Sequence, residues 1–210
     1  MGREGRDARG RPPVSSRGEI ARLGLALFAE RGFDAVTGDD VAAAAGIGRR
    51  TFFRYYASKN DVVWGEFDRP LREMADWLAT APADRPLLEV LAEAVGRFNR
   101  LPPEAVADHR LRMRLILEVP ALQAHAALRY ADWRAVVAGY AASRLGQPAE
   151  ALAPQLVAHL ALAASVAAYE AWLRVPGSDL GALLDGALRS VRLDLAVLPR
   201  LEQDAALPSA

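Results

Sequence analysis

The chain contains no cysteine in 210 residues, and that excludes disulfides, iron-sulfur clusters, thiolate metal sites and a cysteine nucleophile at once. It also lacks an uninterrupted run of about eighteen apolar residues, the minimum for a membrane span. The opening stretch, MGREGRDARGRPPVSS, is charged and rich in Pro and Gly rather than apolar, so it does not read as a signal peptide. A soluble, cytoplasmic protein with no membrane partner is the expectation. Lysine is almost absent: of 26 basic residues only Lys59 is lysine, and the rest are arginine. A GC-rich genome produces that bias together with the abundant alanine, so it carries no functional meaning. Histidine is scarce too. His109, His125 and His159 fall at no metal-binding spacing and read as core or surface residues. No nucleophile with a base and no carboxylate pair stands out, although one His and one Asp can always meet by folding. The reading is therefore of a non-enzyme, with no catalytic residue, metal or cofactor.

What is present begins with apolar residues, 52% of the chain, enough for one compact body and a small satellite domain. The net charge of zero hides an asymmetry: residues 1–60 carry a net of +4 and residues 61–210 a net of −4. A basic front end suits phosphate, and an acidic, apolar-rich remainder suits a body that stays off nucleic acid.

Helical signals dominate. Ser16-Arg17-Gly18-Glu19 reads as a capping box, followed by Ile20, Leu23, Leu27 and Phe28 at helical spacing and a stop at Gly32. Thr37-Gly38-Asp39-Asp40 opens a short helix through VAAAA that ends at Gly46, and Ser58-Lys59-Asn60-Asp61 opens a third capped segment. Short glycine-bearing turns between them make a compact three-helix unit followed by a longer helix, in which Pro70 marks a kink or a split.

The helix between Gly48 and Ser58 carries the chemistry. Phe52 and Tyr56 share one side of a helical wheel and face the core, while Arg50 and Arg54 fall opposite, flanked by Phe53, Thr51 and Tyr55. Such a face suits a DNA major groove. Arginine can bind guanine bidentately, Phe53 can touch a thymine methyl, and Thr51, Tyr55 and Lys59 can bind phosphate oxygens. A solvated amphipathic helix with idle arginines is the plain alternative.

The stretch DDVAAAAGIGRRTFFRYYASKNDVV resembles the signature of TetR-family transcriptional regulators. That resemblance implies an all-α fold, a helix-turn-helix domain joined to a helical ligand-binding and dimerisation domain, and repressor function. It carries the DNA-contact role onto Thr37, Gly38, Arg49, Arg50, Thr51, Phe53, Arg54, Tyr55 and Lys59. Two positions depart from the family pattern: Gly48 stands where Ser is common, a weaker cap, and Phe53 stands where Tyr is common, which removes a hydroxyl. Beyond this unit, VVWGEFD, FNRLPPEAVADHRLRMRLILEVPALQAH and LRYADWRAVVA resemble regulators associated with the mycofactocin system of actinobacteria. This implies control of redox-cofactor genes and release from the operator by an acyl-CoA-like ligand. A TetR-type regulator of another operon, such as efflux or lipid metabolism, with a different hydrophobic ligand is the alternative.

The expected organisation is a flexible basic arm at 1–15, the DNA-binding domain at 16–60, the effector-binding and dimerisation body at 61–200, and a tail at 201–210. In the body, breaks at Pro82, Pro86, Pro102-Pro103, Pro120, Gly146-Pro148, Pro154, Pro176-Gly177 and Pro199 delimit helices of roughly 14 to 25 residues. The helix from about Ala121 to Leu145 carries Leu122, His125, Arg129, Trp133, Val136 and Tyr140 on one face and an alanine stripe of Ala124, Ala127, Ala131, Ala135, Ala138 and Ala142 on the other. Met74, Leu78, Phe98, Met113, Leu117, His125, Trp133, Tyr140, Tyr169 and Trp172 are candidate lining for a long apolar effector, with Arg112, Arg114 and Arg129 as candidates for an anionic head. Arg129 equally admits a salt bridge to Glu118 or another acid, or simple snorkelling. The segments from Pro154 to Val175 and from Leu180 to Leu198 are apolar enough to form a homodimeric four-helix bundle, the latter through Leu183, Leu184, Leu188, Val191 and Leu195; a large monomer core is the competing account. A dimer of this kind expects palindromic double-stranded operator DNA.

Overall fold

The computed structural model describes residues 16–193, which form ten α-helices and one short 3-10 turn and divide into two units between Glu66 and Phe67. The basic arm expected at 1–15 and the tail at 201–210 lie outside the described residues, as do Leu195 and Pro199.

The first unit holds α1 (Arg17–Arg31), α2 (Gly38–Ala44), α3 (Arg49–Tyr55) and α4 (Lys59–Trp64). Three of the four start with reciprocal capping boxes, Ser16 with Glu19, Thr37 with Asp40 and Ser58 with Asp61. Each box satisfies two backbone N–H groups that the helix itself leaves open. The hydrogen bond from the Thr37 hydroxyl, with that from its backbone N–H, holds the half-buried Asp40 carboxyl below its ordinary pKa. The helix α1 packs on α2 and α4, and α2 packs on α3, around Ile20, Phe28, Val41, Phe52 and Tyr56. Gly24 permits the α1–α4 approach, since a Cβ there would lie 2.5 Å from Val62 Cγ1.

The helix expected to run on past Lys59 is split rather than kinked. The break falls at Gly65, whose φ of 57° is costly for any side chain, and α5 (Asp68–Ala79) restarts beyond it. Pro70 sits in the first turn of α5, where its missing N–H leaves no hydrogen bond unmade, so it is not the cause.

The second unit comprises α5, α6 (Leu87–Phe98), α7 (Val106–Glu118), α8 (Pro120–Leu145), α9 (Leu152–Arg174) and α10 (Leu180–Ser190). The helix α8 packs against α5, α7 and α9, and α10 packs against α6 and α9. Pro120 turns the chain sharply between α7 and α8 and supplies the first residue of the latter. Long and apolar enough to cross a membrane by composition, α9 instead packs between its neighbours in a helical layer. The helix expected from Leu180 to Leu198 ends at Ser190, with Val191 extended. Its Leu180, Leu184 and Leu188 are buried within the protomer's own core, so this stripe is not left open for a second chain. On α8 the face of Leu122, Trp133 and Tyr140 points inward, whereas Ala124, Ala127, Ala131 and Ala135 lie exposed.

Candidate DNA-binding surface and effector site

Helix α3 is anchored by Phe52 and Tyr56, exposed by 0% and 1% respectively. The Tyr56 hydroxyl donates 2.6 Å to the carbonyl of Arg17, whose guanidinium lies 4.8 Å from the Tyr56 ring centre. These contacts lock the helix roll, and the opposite side is therefore presented outward. Arg49, Arg50, Phe53 and Arg54 are exposed there, with Thr51 and Tyr55 half-buried beside them. Phe53 is 44% exposed, a large apolar side chain left partly in water. Arg49 pairs with Asp39 and lies over the Phe53 ring, and Arg54 lies over Tyr55. The guanidinium groups of these cations are thus held over aromatic rings.

Not every residue assigned a DNA role is positioned in the same way. Thr37 uses its hydroxyl in the capping box of α2. Gly38 packs against α3, since a Cβ there would lie 3.0 Å from Phe52 Cε1. Lys59 is half-buried, and its ammonium donates to the carbonyls of Phe33 at 2.8 Å and Val36 at 2.9 Å, above the Phe33 ring. Lys59 therefore ties α4 to the connection that leads into the N-cap of α2. Gly48 begins α3 without a side-chain cap.

In the second unit the candidate effector residues separate into groups. Met74, Leu78, Met113, Trp133, Tyr140, Tyr169 and Trp172 are buried, Phe98, Arg112, Leu117, His125 and Arg129 are half-buried, and Arg114 is exposed. Arg129 donates 2.9 Å to Asp68 in the first turn of α5 and faces the Phe67 ring, which meets Phe98 edge-on. The acid facing Arg129 is thus Asp68, sixty-one positions away in sequence, rather than the nearby Glu118. Arg144 Nη1 donates to the Tyr140 hydroxyl, and its Nη2 donates to the carbonyls of Ala83 and Arg85, a strut between α8 and the α5–α6 connection. Tyr169 and Trp172 form an aromatic group with His109, and Arg110 stacks 4.1 Å from the Trp172 ring centre.

His109, read from the sequence as a core or surface residue, stands in a polar cluster that the sequence did not single out. Its Nε2 lies 2.8 Å from the Tyr169 hydroxyl, which in turn donates to Asn99 Oδ1. Burial, with the nearby Arg112 charge adding to it, pushes the imidazole pKa down to about 4. Burial likewise raises the Tyr169 phenol. No local signal could have found this cluster, because His109 and Tyr169 are sixty positions apart. A groove of about 500 Å³ lies nearby, bordered by Asn99, Arg100, Val106, Trp172 and Asp179. Of the residues proposed from the sequence as effector lining, it includes Trp172 alone. Among the described residues, no group of three or more His, Asp or Glu side chains is placed to hold a metal ion.

A capped three-helix unit with an outward cationic and aromatic third helix, joined to an all-helical body, defines a helix-turn-helix transcriptional regulator. Residues 20–63 match the family described as bacterial regulatory proteins of the tetR family, and residues 85–196 match the MftR C-terminal domain. The chain belongs to the TetR family of transcriptional regulators, in the branch that carries the MftR C-terminal domain. Within it, the chain is 41% identical over 184 residues to a Mycobacterium tuberculosis protein named as the mycofactocin biosynthesis transcriptional regulator MftR, covering 88% of this chain and 91% of that one. Its fold resembles the crystal structure of Thermus thermophilus FadR in complex with lauroyl-CoA, with a TM-score of 0.53, 21% identity and coverage of 92% and 100% of the two chains. It also resembles the fatty acid degradation regulator FadR of Bacillus halodurans, with a TM-score of 0.56, 18% identity and coverage of 86% and 95%. The protein is a DNA-binding regulator and not an enzyme.

Proposed function

We propose that this protein is a homodimeric repressor that holds a palindromic operator through α3, controls mycofactocin-related genes and leaves the DNA when a hydrophobic effector such as an acyl-CoA enters the second unit. The observation that carries the DNA reading is the exposed Arg50, Phe53 and Arg54 face on a helix whose other side is locked by Phe52 and Tyr56. Arg50 and Arg54 read base edges, while Thr37, Gly38, Arg49, Thr51, Tyr55 and Lys59 sit near the backbone and hold the register. The identity to the mycobacterial protein supports the mycofactocin assignment, and the fold shared with a lauroyl-CoA-binding regulator supports the ligand class.

Dimerisation uses the faces of α9 and α10 that the protomer leaves open, including Ala163, Ala167 and Glu170 of α9 and Ala182 and Gly186 of α10. Small residues there permit close helix approach in a four-helix bundle. An anionic effector head competes with Asp68 for Arg129, and that exchange supplies the difference in effector affinity between an operator-bound and a released arrangement of the protein. The protein works in the cytoplasm, where its operator is.

The test is footprinting of the purified full chain on the DNA flanking its own gene and neighbouring mycofactocin genes, with and without lauroyl-CoA. Two protected half-sites, on the order of 34–36 Å or a multiple apart, with protection lost on adding lauroyl-CoA, are expected. Protection that persists at saturating lauroyl-CoA would remove the acyl-CoA assignment. Protection found only beside efflux or lipid genes would replace the mycofactocin assignment with the alternative operon.

A further inference from the structure

The His109 cluster is a directional relay, and its direction can be read from the far end. Asn99 Nδ2 donates 2.8 Å to the carbonyl of Val95, which can only accept. The amide is thereby oriented, and its Oδ1 accepts the Tyr169 proton. With its only proton committed, the Tyr169 oxygen must accept from His109, 2.8 Å away, so Nε2 carries the hydrogen. In the neutral ring that burial and Arg112 favour, Nδ1 is then a bare acceptor. Nδ1 is shielded from solvent, and no protein group donates to it. A buried acceptor without a donor is a standing cost to the arrangement that contains it. The groove described above shares Asn99 and Trp172 with this cluster.

We propose that His109 Nδ1 is the acceptor for one neutral O–H or N–H group on the effector of this unit, next to the effector's apolar part. The inference rests on the effector-responsive reading above and adds a selection rule to it. A carboxylate fails at this point because it has no proton to donate. An ammonium fails because the positive charge of Arg112 stands close enough to act on His109. Trp172, which borders the groove and meets the His109 ring, supplies an apolar wall, and Asn99 and Tyr169 act as positioning residues that keep the histidine in one tautomer. A donor arriving at Nδ1 removes the cost of the empty acceptor, so it favours the liganded arrangement specifically.

The experiment uses the ¹⁵N-histidine-labelled full chain and two isomeric probes of matched length, 1-decanol and methyl nonyl ether, of which only the alcohol has a donor. In the free protein, nitrogen resonances of His109 should show a protonated Nε2 and an unprotonated, unbonded Nδ1. 1-Decanol should shift the Nδ1 resonance toward the hydrogen-bonded value and bind at least about tenfold more tightly than the ether, roughly what one net hydrogen bond is worth. Tyr169→Phe, which removes the acceptor that sets the tautomer, and His109→Phe should each bring the two probes to equal affinity. Equal affinity in the unsubstituted chain, no binding of 1-decanol, or an Nδ1 resonance already at its bonded value and unmoved by it would overturn the proposal. If one of these occurs while lauroyl-CoA still releases the operator, the donor rule alone fails. If lauroyl-CoA is also without effect, the acyl-CoA reading fails with it.

Discussion

The ammonium of Lys59 lies 2.8 Å from the carbonyl oxygen of Phe33, and this bond joins the start of α4 to the beginning of the loop after α1. A second bond to the carbonyl of Val36 places the same cation against the residue preceding the N-cap Thr37. Lys59 thus helps to place α2, and through α2 it helps to place α3.

Lys59→Ala is expected to lower the stability of the first unit by roughly 1–3 kcal/mol, the loss of charge-assisted hydrogen bonds at a half-buried site. Binding to operator and unrelated DNA should weaken together. Thermal melting followed alongside DNA affinity checks this: an unchanged melting temperature would show that the carbonyl contacts are dispensable. A salt slope lowered by about one unit would show that Lys59 also neutralises a phosphate.

Arg50→Ala and Arg54→Ala should behave in the opposite way. Both side chains are exposed, so the melting temperature should hold, while each substitution costs roughly 1–3 kcal/mol on the operator and relaxes base preference. Selection of binding sites from a randomised pool reads the preference directly. A uniform loss on every sequence would restrict the arginine concerned to phosphate.

His109 makes stability depend on pH in the mildly acidic range. Its imidazole titrates near 4 in the fold against an ordinary value of 6.5, so between these values the unfolded chain binds the extra proton. Stability contributed by neutral His109 is therefore fully present above about pH 6.5 and is lost as pH falls toward 4, by up to about 3 kcal/mol. Denaturant melts of the native chain and of His109→Phe between pH 4 and 7.5 test this. Identical slopes of stability against pH in the two proteins would refute it.

The first unit was legible because its determinants are close together in sequence. Ser16 with Glu19, Thr37 with Asp40 and Ser58 with Asp61 are caps three residues apart, and the division of α3 into a Phe52/Tyr56 side and an Arg50/Arg54 side is a matter of helical pitch. Prolines marked most helix boundaries in the body for the same local reason. Pro70 misled because a proline in a first helical turn costs nothing, and the break belongs to Gly65.

The sequence by itself determined that this protein is all-helical, that it begins with a DNA-reading unit, and which side of α3 faces outward, since caps, turns and helical periodicity act within a few residues. Only the tertiary structure decided the partners of its long-range polar side chains: Asp68 for Arg129, the carbonyls of Phe33 and Val36 for Lys59, and Tyr169 with Asn99 for His109. It also decided that Leu184 and Leu188 belong to the protomer's core. A buried polar atom takes whichever donor or acceptor helix packing brings within about 3 Å, and that choice is made among residues up to seventy positions apart.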